Sequence, residues 1–326
     1  MTATTEPCLP YARAARGDQI AAIEWPTLTL IVATYGSWLA ITASYGHLPL
    51  AVVAALGTVL VTLHGSLQHE IIHGHPTRSA LFNRLTVVVP LSLWLPFARY
   101  QRSHLAHHID ERLTDPFDDP ESFYWTPEAW TRLGPMARTI LRLQQTLAGR
   151  IIIGSFWRIG MFLTKEARAV LHDRYHARRD WLEHLMWCVP VIVWVKGICG
   201  MPLWIYFVTM VMPANALQLI RSFAEHRARA TTRERIAIVE RSWILGPLFL
   251  FNNLHALHHE SPMIPWYRYN ARYRLERERL IAENGALVYR TYLEVVARYL
   301  FRPHDSLLHP TGRIPCAPRP ETAPGA

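Results

Sequence analysis

Residues 49–75 read PLAVVAALGTVLVTLHGSLQHEIIHGH. The first twenty, Pro49 to Gln68, contain no Asp, Glu, Lys or Arg. At 1.5 Å per residue, that is enough helix to cross a bilayer core of about 30 Å. His69, Glu70, His73 and His75 then follow directly. On a helix His69 and His73 are i and i+4 and share one face. The stretch therefore predicts a membrane-spanning helix that ends in a metal-ligating turn.

A second charge-free run, Pro26 to Tyr45, lies just before it, across Gly46-His47-Leu48. So short a link makes the two a tight helical hairpin. A second hairpin runs from about Trp181 to Cys199 and from Met201 to Ile220, joined around Gly200, with Glu183 and Lys196 near the ends of its first arm. Four spans are expected, over 26–45, 49–68, 181–199 and 201–220. Residues 1–25 carry Glu6, Asp18 and Glu24 and no compact apolar segment, unlike a signal peptide, so the first span should be retained as the end of a cytoplasmic N-terminal segment.

The chain has 326 residues, a formal charge of +9, 50% hydrophobic and 18% charged residues. That composition excludes a disordered chain. The four cysteines, at 8, 188, 199 and 316, have no short repeated spacing and exclude a disulfide framework and a Cys-based zinc site. A basic chain suggests nucleic acid or an anionic membrane; the apolar runs decide for the membrane and against nucleic acid. Of the 34 Lys and Arg residues, only Lys196 falls at a hairpin tip. By the positive-inside rule both termini and the region between the hairpins are cytoplasmic. Thr86–Ala98, with Pro90 and Pro96, and Ile151–Leu163, with Arg158, are too short and interrupted to span and read as re-entrant or interfacial helices. Residues 301–326 hold six prolines and read as a disordered tail with no assigned function.

Two further histidine clusters repeat one pattern, HxxHH: His104, His107, His108 and His255, His258, His259. Positions i, i+3 and i+4 share a helix face, and imidazole suits iron, zinc, copper and nickel. Eight imidazoles exceed one ion's needs and suit two, with the adjacent pair in each HxxHH diverging to serve different ions. All three clusters must meet on one side of the bilayer, which requires Thr86–Ala98 not to cross. His69-Glu70-x-x-His73 also matches the zincin signature, in which Glu70 would be the general base. An intramembrane protease of that kind would supply a distal Asp in a third span, and no LDG-like sequence is present. Glu70 is better read as an acceptor that orients a ligand histidine.

The triple-box arrangement resembles the membrane-bound fatty acid desaturase superfamily over about residues 25 to 300. The string HEIIHGH and the segment Thr114-Asp115-Pro116 … Asp119-Pro120-Glu121-Ser122 look like bacterial members. The resemblance implies an all-α membrane protein: four transmembrane helices with a cytosolic helical cap holding a di-iron site, the desaturase-like domain covering 26–300. It implies that His69, His73, His104, His107, His108, His255, His258 and His259 bind two irons, with O2 as co-substrate. His226, 29 residues before His255, stands where acyl-CoA desaturases have a further ligand. Those enzymes place a water-bound Asn one turn earlier, where this chain has Ser222; Asn252 and Asn253 are the alternatives. Glu70, Asp110, Asp115, Glu225 and Glu260 are candidates to offset the metal charge, while Asp115, Asp118 and Asp119 also read as solvated loop residues.

The resemblance implies an O2-dependent oxidoreductase introducing a double bond into a fatty acyl chain. A lipid hydroxylase, acting on a chain or a polar head group, is second, and a carotenoid ketolase or hydroxylase third. A non-enzymatic metal-binding membrane protein would carry its ligands within the spans rather than at their ends. The sequence has no fused haem motif and no iron–sulfur spacing, so a separate ferredoxin, rubredoxin-like protein or cytochrome is expected as electron donor. Arginine exceeds lysine 32 to 2, the balance of a GC-rich bacterial genome, and points to a bacterial cytoplasmic membrane.

Overall fold

The structure is a computed structural model that describes residues 23–109 and 112–310. Four helices are long and apolar enough to cross a membrane: Trp25–Ala43, Leu50–Ile72, Ala177–Ile198 and Leu203–Glu225. They pair as two hairpins, and Gly46 (φ 86°) and Gly200 (φ 65°) take the left-handed conformation in the connecting turns, which glycine adopts without a Cβ clash. The second helix runs beyond its uncharged stretch to Ile72, with His73 as its C-cap residue, so the first histidine pair is carried on the span itself. The fourth runs to Glu225, and His226 is its first extended residue (φ −131°, ψ 144°).

The second and fourth spans pack most closely. A Cβ on Gly57 would collide with the Met210 thioether, which would have to shift to make room. Pro213 removes the amide that would bond the Thr209 carbonyl. The backbone widens to a π-helical turn over Phe207–Val211, and Thr58 Oγ1 donates to the Thr209 carbonyl instead (3.1 Å).

The segment Thr86–Ala98 is not one interfacial helix. Helix Ala80–Val87 ends there, residues 88–96 are non-helical, and helix Phe97–His107 begins at the far end. Prolines 90 and 96 break the helix, and the freed carbonyls find a donor on every span. Tyr35 Oη donates to Val89 O (2.9 Å), Gln68 Nε2 to Val87 O (3.2 Å) and Tyr206 Oη to Leu91 O (2.6 Å), and His184 Nε2 lies 3.0 Å from Leu93 O. Irregular backbone is tolerated at membrane depth only when protein covers and satisfies it. The segment is thus a buried plug inside the four-helix stem. The second short apolar segment is helical and longer than its apolar run, Gly154–Leu171. Phe156, Met161 and Leu163 are exposed on one side, and Glu166 pairs with Arg99 on the other (2.7 Å).

The cap caps the C-terminal ends of spans two and four. It comprises Phe97–His107, the loop after residue 112, His255–Glu260, Tyr269–Glu283 and Tyr292–Tyr299. Its only regular strands among the described residues are a two-residue parallel pair, Ile238–Val239 on Val288–Tyr289. Within the expected tail, residues 301–310 pack back onto the cap. His304 and His309 are buried, and His304 N–H donates to Gln145 O (2.7 Å) while Trp125 N–H donates to Leu307 O (2.8 Å). A Pro-rich composition does not prevent packing where two histidines supply buried surface. Residues 1–22 and 311–326 of the two terminal segments lie outside the described residues.

Candidate metal centre

The helix Phe97–His107 carries His104 and His107, with His108 as its C-cap residue. His255–Glu260 carries the third cluster. The second span brings His69 and His73, and the extended exit from the fourth brings His226. These nine side chains assemble into two groups: His69, His73, His104, His108 and His258 in one, His107, His226, His255 and His259 in the other. Each HxxHH is divided the same way. Its i and i+4 members face one group and its i+3 member faces the other. The groups adjoin, with the rings of His108 and His259 stacked at 4.3 Å.

The ring nitrogens converge. His104 Nε2 lies 3.0 Å from Nε2 of His73 and of His108, and His108 Nε2 lies 3.0 Å from that of His258. His226 Nε2 lies 2.9 Å from Nε2 of both His107 and His255. On the opposite edges, acceptors take the Nδ1 protons. They are Glu121 Oε1 for His104 (3.3 Å), Asp119 Oδ1 for His107 (2.9 Å), Asn252 Oδ1 for His255 (3.1 Å) and the Tyr269 hydroxyl for His258 (3.1 Å). Those four rings then present bare lone pairs at Nε2. The five Nε2 contacts are left with at most three protons, those of His73, His108 and His226. Lone pairs facing one another repel unless a cation lies between them. Two nitrogens bound at about 2.1 Å and at right angles on one ion are about 3.0 Å apart. The donor set therefore fits two metal ions. Burial, followed by the neighbouring imidazoles, holds His108, His255, His258 and His259 well below the ordinary histidine range, which favours the neutral, ligating form. Against burial, Asp119 and Glu121 lift His107 to about 9, so a metal there would displace a proton.

A carboxylate layer lies behind the rings. Glu225 Oε1 is 3.4 Å from His255 Nδ1 and 3.0 Å from Arg221 Nε, a buried pair. Against the effect of burial, the charge of His107 when it is protonated, followed by the His104 Nδ1–H bond, holds Glu121 below the usual carboxylate range. Such acceptors orient ligand rings and raise their basicity.

Three of the expected charge-offsetting residues are placed elsewhere. Glu70 accepts the Trp266 amide (2.8 Å) and faces His75 Nε2 at 3.8 Å, while His75 Nδ1 contacts Glu24 at 2.6 Å. Burial opposes the cation, yet Glu70 and Glu24 together lift His75 to about 9. Glu70 thus belongs to a buried triad tying the start of span one to the end of span two. Asp115 accepts the amides of Phe117 (2.8 Å) and Asp118 (3.1 Å) and shapes the loop. Glu260 pairs with Arg279 (2.8 Å) on the outer face. Asp110 lies outside the described residues. Asp119 corrects the opposite way: read also as a solvated loop residue, it is buried against His107. Ser222 Oγ bonds back to Leu219 O (3.4 Å), and Asn253 Nδ2 to Val239 O (2.6 Å). Of the three polar candidates, only Asn252 touches a ring of the centre. The roles of Asp119, Glu121 and Tyr269 were not read from the sequence; Asp119-Pro120-Glu121 within the segment resembling bacterial members was the available signal.

A family model described as fatty acid desaturase matches residues 43–292. The chain belongs to the fatty acid desaturase family, a membrane family of desaturase- and hydroxylase-type oxidoreductases. Among curated proteins, none matches this chain.

Proposed function

We propose that this chain is an O2-dependent di-iron desaturase that introduces a double bond into a lipid acyl chain. The observation that carries the reading is the pair of adjoining all-histidine nests at the ends of apolar spans, within this family. In this reading the nine histidines hold two irons. Iron bound there supplies the power to break an unactivated C–H bond using O2 and two electrons. The chain's own groups do the rest. Asp119, Glu121, Asn252 and Tyr269 hold the Nδ1 protons and fix each ring's aim. The carboxylates of Asp119, Glu121 and Glu225 offset the positive charge that neutral ligands leave on the metals. Spans two and four deliver His69, His73 and His226 directly from the bilayer, so an acyl chain held among lipids has a short path to the centre.

The basic cap faces the cytoplasm by the positive-inside rule, at a bacterial cytoplasmic membrane, and takes electrons from a separate ferredoxin, rubredoxin-like protein or cytochrome. Expression in a heterologous bacterium followed by lipid mass spectrometry tests the reaction. Loss of two hydrogens from an acyl chain supports desaturation; gain of one oxygen makes the protein a hydroxylase. Reporters fused after residues 47 and 200 should read periplasmic, and those near 120 and 235 cytoplasmic.

A further inference from the structure

The most exposed large apolar side chains among the described residues are Trp243 (87%) and Ile244 (83%), side by side in a turn before the short helix Leu245–Leu248. Two contacts fix the depth of that turn. Ser66 Oγ of the second span donates to Leu248 O (2.8 Å). Leu245 and Leu248 pack in one apolar cluster with Ile220 and Phe223 of the fourth. Ser66 is two residues from the end of span two's uncharged run, and Ile220 is the last residue of span four's. The turn therefore sits at the level where both spans leave the apolar zone.

The patch is wider than two residues. Leu293 (77% exposed) follows Tyr292, whose ring packs on Phe249 at 5.8 Å, and Ile152 (69% exposed) follows Ile151 of the same cluster. Arg241 and Arg290 are exposed beside it, linked by the Arg241 amide to the Arg290 carbonyl (2.7 Å). Apolar and aromatic side chains fringed by arginine at a bilayer boundary are the chemistry of membrane interfaces.

We propose that the Trp243–Ile244 turn is a membrane-inserted anchor. It seats the cap on the leaflet that the cap faces, with Arg241 and Arg290 meeting anionic lipid head groups. Past the anchor, Leu250 (φ 51°) and Phe251 (φ 57°) turn the chain inward to His255, so the third histidine cluster is tied to the leaflet surface. Leu275 (82% exposed) is the contrast: on helix Tyr269–Glu283 its neighbours at i−3, i+3 and i+4 are Arg272, Glu278 and Arg279, and a lone exposed leucine among charges faces water.

The test uses the full chain with Cys8, Cys199 and Cys316 changed to Ser, leaving buried Cys188, and either Trp243→Cys or Leu275→Cys carrying a polarity-sensitive fluorophore. Each is reconstituted in phosphatidylcholine vesicles containing phosphatidylglycerol, with or without shallow nitroxide-labelled lipid. The label at 243 should lose fluorescence to the nitroxide lipid and resist aqueous iodide; the label at 275 should do the reverse. Iodide quenching at 243 equal to that at 275 would overturn the anchor. So would shielding from iodide without nitroxide quenching, which would mean that protein covers the turn. Neither readout depends on the reaction proposed above.

Discussion

His107 is held between two partners: Nδ1 lies 2.9 Å from Asp119 Oδ1, and Nε2 lies 2.9 Å from His226 Nε2. The second oxygen of Asp119 accepts the Thr114 amide (2.9 Å), so the carboxylate cannot swing away. One aspartate thereby sets both the tautomer and the aim of a ring in the centre.

Asp119→Asn keeps the shape and removes the charge. Loss of an outer partner of a ligand histidine costs about 10–100-fold in metal affinity or activity, and that drop is expected in iron titrations of the variant. Asp115→Asn, in the same loop but bonded only to backbone amides, should retain iron and turnover. Equal loss in both variants would make Asp119 a loop residue only.

Metal analysis of the purified protein should find iron near two per chain and little zinc. Stoichiometric zinc without iron would return attention to His69-Glu70-x-x-His73 as a zinc site.

His226→Ala removes one of four histidines from its group and should lower iron content and abolish turnover while the protein still inserts. His176→Ala is the control, since that side chain is exposed and outside both groups. If the two variants behave alike, His226 does not ligate.

The stem plug makes a prediction about stability alone. Tyr206 Oη donates to Leu91 O (2.6 Å) and accepts from Trp38 Nε1 (3.1 Å). Side-chain hydrogen bonds inside membrane bundles are worth about 0.6 kcal/mol on average and up to about 1.7. Tyr206→Phe should lower stability by that order in a detergent unfolding titration and leave iron content unchanged.

Burial, then Arg227, lowers the buried His304 to about 4. An undocked histidine titrates near 6.5. The docked form binds fewer protons between these values, so docking of residues 301–310 is fully stable above about 6.5 and weakens as pH falls, by up to about 3 kcal/mol at the acid end. The protection factor of the segment's amides, the observed exchange rate corrected for the intrinsic pH dependence, should fall below pH 6. His304→Phe, between the rings of Phe223 and Tyr299, should abolish the acid sensitivity.

The sequence by itself determined four helices long and apolar enough to cross a bilayer, the first, second and fourth from uncharged runs of twenty residues and the third from an apolar run with Glu183 and Lys196 only near its ends. It also determined that histidines at i, i+3 and i+4 share a helix face. Only the tertiary structure decided which group each ring joins, because that depends on how Phe97–His107 and His255–Glu260 meet the ends of spans two and four. The carboxylates divide for the same reason. Asp115 and Asp119 are alike in composition and flanking proline, and a local backbone turn claims one while a distant imidazole claims the other. Periodicity could not show that residues 88–96 enter the stem, since their hydrogen bonds go to Tyr35, Gln68, His184 and Tyr206 on four separate helices. Nor could it show that His304 and His309 bury a Pro-rich end. Both outcomes rest on long-range contacts that satisfy buried backbone, and local sequence carries no record of them.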